Sequence, residues 1–256
     1  MTTERGLLTG KIAFVTGASR GIGAAAARLF AREGATVVLA ARTETDLRAV
    51  TEEIVEAGGE ASYVVADFGD VPSVERAVAA VVERHGRLDV AFNNAGAMVP
   101  PTTVADCAED DFDLVTRVNY KGVFFAMAAE VRAIRDTAGS GAIVNNSSVG
   151  SLRGNPTLPA YGAAKRAVNS LTESAALEYG PDGIRVNAVA PGLTLTAMVE
   201  AWRDADPATV EQIVGSIPLG RPADPAEIAE AAAWLLSDRA SYVTGVVLPV
   251  TGGGGV

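Results

Sequence analysis

Residues 12–23 read Ile12-Ala13-Phe14-Val15-Thr16-Gly17-Ala18-Ser19-Arg20-Gly21-Ile22-Gly23, and the run Ala24-Ala25-Ala26-Ala27 follows at once. A short apolar strand breaks at a cluster of glycines and re-forms as a helix. Glycines let a backbone turn sharply and approach an anion, and a helix start offers free N–H groups with a partial positive charge. The stretch reads as a phosphate cradle between strand and helix. Its spacing, G-x-x-x-G-x-G, departs from the general G-x-G-x-x-G fingerprint, so simple turn chemistry remains an alternative for this stretch taken alone.

Working outward, the same alternation runs the length of the chain. Strands are expected at residues 12–15, 36–40, 61–66, 88–92, 142–145, 184–189 and 246–248, and helices at 23–33, 44–57, 71–85, 109–135, 160–179 and 225–236. Repeated strand-helix-strand units need crossovers of one hand, which predicts an α/β, doubly wound Rossmann fold with a seven-stranded parallel sheet covered by helices on both faces. No linker, charge block or repeat divides residues 1–256, so one domain is expected. Residues 194–221 lack a strand and mix Met198, Trp202, Ile213, Ile217 and Pro218 with polar residues. Beginning at a strand end, this excursion reads as a substrate lid, with an ordinary helical insertion as the alternative. The Gly252–Gly255 run reads as a loose terminus.

Composition agrees. Of the 256 residues 48% are hydrophobic but only 5% aromatic, the mix expected of doubly buried strands and closely packed helices. A formal net charge of −10 argues against nucleic acid and anionic lipid surfaces as partners. The first fifteen residues do not read as a signal peptide, and no run approaches the ~18 apolar residues of a membrane span. A soluble cytoplasmic protein is predicted. The lone Cys107 reads as a small apolar filler, and the lone His85, before Gly86 at a helix end, is given no catalytic part. No metal site is expected from one histidine and one cysteine.

Polar residues recur where the strands end. Asp67 closes the third and is placed to accept from an adenine amino group, and Asn93-Asn94-Ala95-Gly96 closes the fourth. Ser147 and Ser148 follow the fifth, and a loop from Val149 to Pro159 leads to Tyr161. Tyr161 and Lys165 share a helix face one turn apart. A nearby ammonium favours a phenolate, which makes Tyr161 a candidate general acid/base. Such a pair alone is more commonly a solvated helix face. The neighbouring serine hydroxyls, able to hold a substrate oxygen, shift the reading to catalysis.

Thr16 to Gly23, Asp67, Asn93 to Gly96, Asn119, Ser148, Tyr161, Lys165 and Asn187-Ala188-Val189-Ala190-Pro191-Gly192, in this order, resemble the short-chain dehydrogenase/reductase family over essentially the whole chain. The resemblance implies hydride transfer between a nicotinamide dinucleotide and an alcohol or ketone. It gives Tyr161 the acid/base role, Ser148 the orientation of the substrate oxygen, and Lys165 the lowering of the tyrosine pKa and the nicotinamide ribose. It makes Asn119 the fourth member, holding a water that links Lys165 to solvent. The expected cofactor contacts are Gly17, Ser19, Arg20, Gly21, Ile22, Gly23, Arg42, Asp67, Phe68, Asn94, Ala95, Gly96, Tyr161, Lys165, Pro191, Gly192, Thr194 and Thr196. The expected substrate lining is Ser148, Val149, Leu152, Tyr161, Met198 and Trp202, which suits a mostly apolar substrate. A homo-oligomer, tetramer or dimer, is implied as well. Thr251 departs from an aspartate common at that place in the family.

Ala41 stands where NAD-preferring members commonly carry an acidic residue, and Arg42 and Arg20 are placed to welcome a 2′-phosphate, so NADP(H) is expected, with NAD(H) as the alternative. Two other functional readings stay open. One is a 3-oxoacyl-thioester reductase, whose acidic carrier protein would call for basic residues such as Arg132 and Arg135, although Asp182 and the net charge oppose it. The other is a dinucleotide-binding regulator without catalysis.

Overall fold

A computed structural model describes residues 6–196, 199 and 207–255. Successive side chains of a strand take opposite faces, and this sorts the apolar residues into two cores. In β1 (Ile12–Thr16), Ala13 and Val15 enter one core and Phe14 the other; in β2 (Thr36–Ala41), Val37 and Leu39 oppose Val38 and Ala40. The remaining strands are β3 (Glu60–Val65), β4 (Val90–Asn93), β5 (Gly141–Asn146), β6 (Ile184–Pro191) and β7 (Val247–Val250). All pair in parallel, in the order β3-β2-β1-β4-β5-β6-β7. The first core is covered by α1 (Gly21–Arg32), α2 (Glu44–Glu56) and, late in the chain, α8 (Pro225–Leu236). The second is covered by α3 (Val71–His85), α5 (Val123–Thr137) and α6 (Pro159–Tyr179). This is the expected doubly wound sheet. Strand order reverses between β1 and β4, so the chain leaves these neighbours in opposite directions and a crevice opens beyond their carboxyl ends.

Several boundaries differ from the sequence expectation. β4 starts two residues late, and Asp89 just before it accepts from the Ile12 N–H through its carboxylate at 2.9 Å. β7 runs on through Pro249, which an edge strand tolerates. The single helix expected at 109–135 is three pieces: α4 (Glu109–Thr116), a π-helical turn Arg117–Gly122, and α5. Two tertiary contacts hold that turn. The Asn119 amide grips Ala97, and Gly122 lies so close to Phe68 that a Cβ there would be 2.1 Å from the Phe68 carbonyl oxygen. Within the excursion, α7 (Pro207–Gly215) is a helix and Thr194 bridges Ala223. Among the described residues no helix is long and apolar enough to cross a membrane. Cys107 is half-exposed with its thiol toward the Ala108 carbonyl, so it does not fill the core. The glycine tail is not loose either. Added Cβ atoms would fall 2.8 Å from Pro218 at Gly253 and 2.6 Å from Val149 at Gly255, so bare backbone is what lets the tail pack there.

A buried polar chain crosses the second core just behind the crevice. Asn93 Nδ2 donates to Glu130 Oε2 at 2.8 Å and to Asn145 Oδ1 at 3.1 Å, and Asn145 Nδ2 donates to Thr172 Oγ1 at 2.9 Å. Glu130 is fully buried, and its Oε1 has no partner among the described residues. Burial raises its carboxyl from 4.5 to about 8, against the opposing hydrogen bond from Asn93. The folded pKa lies above the unfolded one, so folding takes up a proton between those values, and stability falls as pH rises from about 4.5 to about 8. Denaturant unfolding across this range should show wild type losing roughly 2 to 5 kcal/mol relative to Glu130→Gln, which has no such proton to lose. Parallel pH profiles for the two proteins would refute this.

Candidate active site

The glycine loop rests on the end of β4. A Cβ on Gly17, where φ is +65°, would lie 2.8 Å from Ala95 Cα, and one on Gly23 would lie 2.2 Å from the Gly17 carbonyl oxygen. Gly21 also has a positive φ, of +55°, which a side chain would strain. The N-terminus of α1 has no side-chain cap and no acidic residue in its first turn. Its N–H groups therefore face the crevice with an undiminished positive end.

Two elements bring the reactive side chains to the same edge. β5 delivers Ser147 and Ser148, while α6 presents Tyr161 and Lys165 one turn apart. The Ser148 hydroxyl acts on the Tyr161 phenol. Burial pushes the Tyr161 phenol up and Ser148 pulls it down; Lys165 is not among the causes of its shift. Lys165 is 3% exposed, its Nζ donating to the Asn146 carbonyl at 2.7 Å and lying 5.8 Å from the Tyr161 ring centroid. Burial lowers the ammonium to about 8. Fully buried Asn119 closes the group from the π-helical turn, accepting from Ala97 N at 2.9 Å and donating to Ala97 O at 2.8 Å. A Cβ on Gly96 would lie 2.9 Å from Asn119 Oδ1 and 3.8 Å from Lys165 Nζ.

These residues fit a dinucleotide. The uncapped helix start and the glycine surface suit a pyrophosphate, and a buried ammonium with one protein acceptor retains donors for hydroxyl groups. Ser19 and Ile22 are partly buried on the loop. Arg20 and Arg42 are exposed, and neither pairs with a carboxylate of the described residues. Ala41, at the end of β2, is 7% exposed. Asp67 is exposed, with Oδ1 accepting from Gly69 N at 2.8 Å. Two of the expected contact residues use their side chains elsewhere. Phe68 is buried in the second core, and the Asn94 amide donates to the Thr16 and Gly17 carbonyls at 3.1 and 3.2 Å. Past Pro191, Gly192 N donates to Val250 O at 3.0 Å, Thr194 is 5% exposed, and the Thr196 methyl reaches across to Gly21.

On the substrate side, Val149 and Leu152 follow Ser148 in a short 3-10 turn, and the glycine tail touches Val149 and Arg153. Met198 and Trp202 lie outside the described residues. Sequence reasoning missed Asn146, whose carbonyl anchors Lys165, and the buried pair Ser151 and Asn169. Their signal was present for Asn169, which continues the Tyr161, Lys165 face by another turn.

A family model described as Enoyl-(Acyl carrier protein) reductase matches residues 17–254. An A-factor type gamma-butyrolactone 1'-reductase (1S-forming) of Streptomyces virginiae is 47% identical over 99% of this chain and 98% of its own length. A cyclohexanol dehydrogenase of Acinetobacter sp. (strain SE19) is 38% identical over 94% of each chain. A crystal structure of an actinorhodin polyketide ketoreductase variant with NADPH superimposes with a TM-score of 0.91, at 37% identity, covering 96% of this chain and 97% of that one. With the doubly wound sheet, the glycine loop and these full-length relatives together, the chain belongs to the short-chain dehydrogenase/reductase family of oxidoreductases.

Proposed function

We propose that the protein transfers a hydride between NADP(H) and a small, largely apolar secondary alcohol or its ketone, with Tyr161 as general acid/base. The observation that carries this reading is the convergence of Ser148, Tyr161 and Lys165 on one sheet edge beside the glycine loop. The relatives named for a butyrolactone and for cyclohexanol support a compact carbonyl or carbinol substrate. When bound, the dinucleotide supplies or accepts the hydride.

The chain's own residues hold the reactants and move the proton. In the reductive direction the Ser148 hydroxyl donates to the carbonyl oxygen and holds it beside the Tyr161 phenol. Burial keeps that phenol protonated at neutral pH, the form needed to give its proton to the oxygen as the alcohol forms. The oxidative direction needs the phenolate and so gains from higher pH. Lys165, anchored on the Asn146 carbonyl, places its ammonium near the Tyr161 ring and would hold the nicotinamide ribose. Asn119 fixes the turn on the far side of Lys165 and would seat the water leading to solvent. Gly17, Ser19, Gly21, Ile22 and Gly23 would cradle the pyrophosphate, and Asp67 would accept from the adenine. Ala95 and Gly96 would face the ribose, and Pro191, Gly192, Thr194 and Thr196 the carboxamide side. The excursion at 194–221 would close over an apolar substrate. The proposal includes a cytoplasmic homo-oligomer, tetramer or dimer, in which half-exposed Phe124 in the groove between α5 and α6 would be covered.

The carrier-bound alternative loses its basic residues. Arg135 is sixteen residues past Asn119, about 24 Å farther along helical structure that leads away from the crevice. It faces Asp182 and Asp136, and Arg132 faces Glu75.

With NADPH and a panel of ketones that includes cyclohexanone, Tyr161→Phe should bind NADPH within about twofold of wild type yet lower kcat by at least ~10²-fold. Near-normal turnover would remove Tyr161 from the proton transfer, and saturable binding of NADPH by wild type with no turnover of any ketone would favour a regulator. Cofactor choice has its own test. Each charge-assisted contact is worth roughly 1.5 to 3 kcal/mol, so Arg20 and Arg42 together should favour NADP(H) over NAD(H) by about a hundredfold or more in kcat/KM. Arg42→Ala should erode that ratio, and Ala41→Asp should push it toward NAD(H). A wild-type enzyme that prefers NAD(H) would overturn the assignment.

A further inference from the structure

Behind the crevice, a closed ring of hydrogen bonds ties the loop bearing Ser148 to the helix bearing Tyr161. Ser147 Oγ donates to Asn169 Oδ1 at 2.6 Å, Asn169 Nδ2 donates to Ser151 Oγ at 2.9 Å, and Ser151 Oγ donates to the Ser148 carbonyl oxygen at 2.6 Å. Ser147, Ser151 and Asn169 are 3%, 1% and 8% exposed, so water does not compete for these bonds. These bonds favour one orientation of the Asn169 amide. Turned over, it would compete with the Ser148 carbonyl for the single Ser151 hydroxyl proton. Asn169 also stands in line with the reactive pair, since Tyr161, Lys165 and Asn169 follow one another at one-turn intervals on α6.

We propose that Asn169, acting through Ser151, is a positioning residue that sets where the Ser148 hydroxyl points relative to Tyr161. The inference rests on the reading of Ser148 given above. The Ser148 carbonyl and its hydroxyl belong to one residue, and both are held: the carbonyl by the Ser151 hydroxyl at 2.6 Å and the Ser151 N–H at 2.9 Å, the hydroxyl oxygen by the Gly150 N–H at 3.1 Å. Without a directed Ser151 hydroxyl the carbonyl hangs on the Ser151 N–H alone, a looser hold that lets the peptide plane tilt, and the Ser148 hydroxyl moves with it. A hydrocarbon side chain would fill the space but give no direction, whereas a misplacement of about 1 Å in a reacting group costs about 10²-fold in rate. The ring meets Lys165 only at its main-chain carbonyl, 3.2 Å from Ser147 Oγ, and leaves the ammonium and the glycine loop alone, so dinucleotide binding should change little.

A double-mutant cycle with NADPH and cyclohexanone tests this. Asn169→Leu should lower kcat by about 10- to 100-fold while NADPH Kd and ketone KM stay within about twofold. In the Ser148→Ala background the same change should cost less than about threefold, because the hydroxyl it positions is gone. Ser151→Ala, which trims one oxygen, should reproduce the pattern and serves if Asn169→Leu does not fold. Equal losses of kcat in both backgrounds, or none in either, would overturn the inference while leaving Ser148 in place. If Ser148→Ala alone leaves kcat unchanged, the role of Ser148 fails and the positioning claim falls with it.

Discussion

The Asn94 side chain joins three strand ends, and the crevice takes its shape from that junction. Its Nδ2 donates to the carbonyls of Thr16 and Gly17, at the end of β1, while its Oδ1 accepts from Asn146 Nδ2, at the end of β5, at 2.8 Å. Thr16 Oγ1 completes the knot by accepting from both Asn94 N and Ala95 N at 2.9 Å. The reversal of strand order leaves β1 and β4 with no crossover between them at this edge, so hydrogen bonds rather than a connecting helix hold the neighbouring loops in register. Each neutral bond contributes only about 1 kcal/mol net, but leaving such groups buried and unpaired would cost more than forming them gains. The glycine loop can lie flat on Asn94 and Ala95 because Gly17 and Gly23 present no Cβ to them.

That junction also carries an unfavourable burden. Asn93 Oδ1, Glu130 Oε1 and Asn146 Oδ1 are buried without partners among the described residues, and all three lie at or just behind the ends of β4 and β5. Lys165 adds a buried ammonium with one acceptor in the protein. Each such group costs about 1 to 3 kcal/mol, more when charged, and the two apolar cores on either side of the sheet must offset it. Violations of good packing gathered at one edge are the physical signature of a site shaped for a ligand rather than for stability. Glu130 meets part of this burden by staying protonated.

How much was legible in the sequence depended on whether a feature is local. The strands, the helices and the Tyr161, Lys165 pair are set by periodicity within a few residues, and the glycine loop by turn chemistry. The π-helical turn was not legible, because Asn119 and Gly122 are held by Ala97 and Phe68, contacts that no helical pattern records. Ser151 and Asn169 look like ordinary polar residues until α6 and the loop after β5 meet and bury them. The glycine tail misled for the opposite reason: the absence of side chains that marks a flexible terminus also lets backbone pack tightly against Pro218 and Val149. Phe68 and Asn94 lie where contacts to a dinucleotide were expected, but their side chains are used inside the protein.

The central claim is direct hydride transfer between a nicotinamide and a carbonyl carbon held at this edge. Its most direct test follows a label. NADPH deuterated separately at each face of the nicotinamide C4 is turned over with cyclohexanone, and the alcohol is analysed by mass spectrometry and NMR. The account predicts that deuterium from one face, and not the other, appears on the carbinol carbon. Reduction in which neither label reaches that carbon would contradict it.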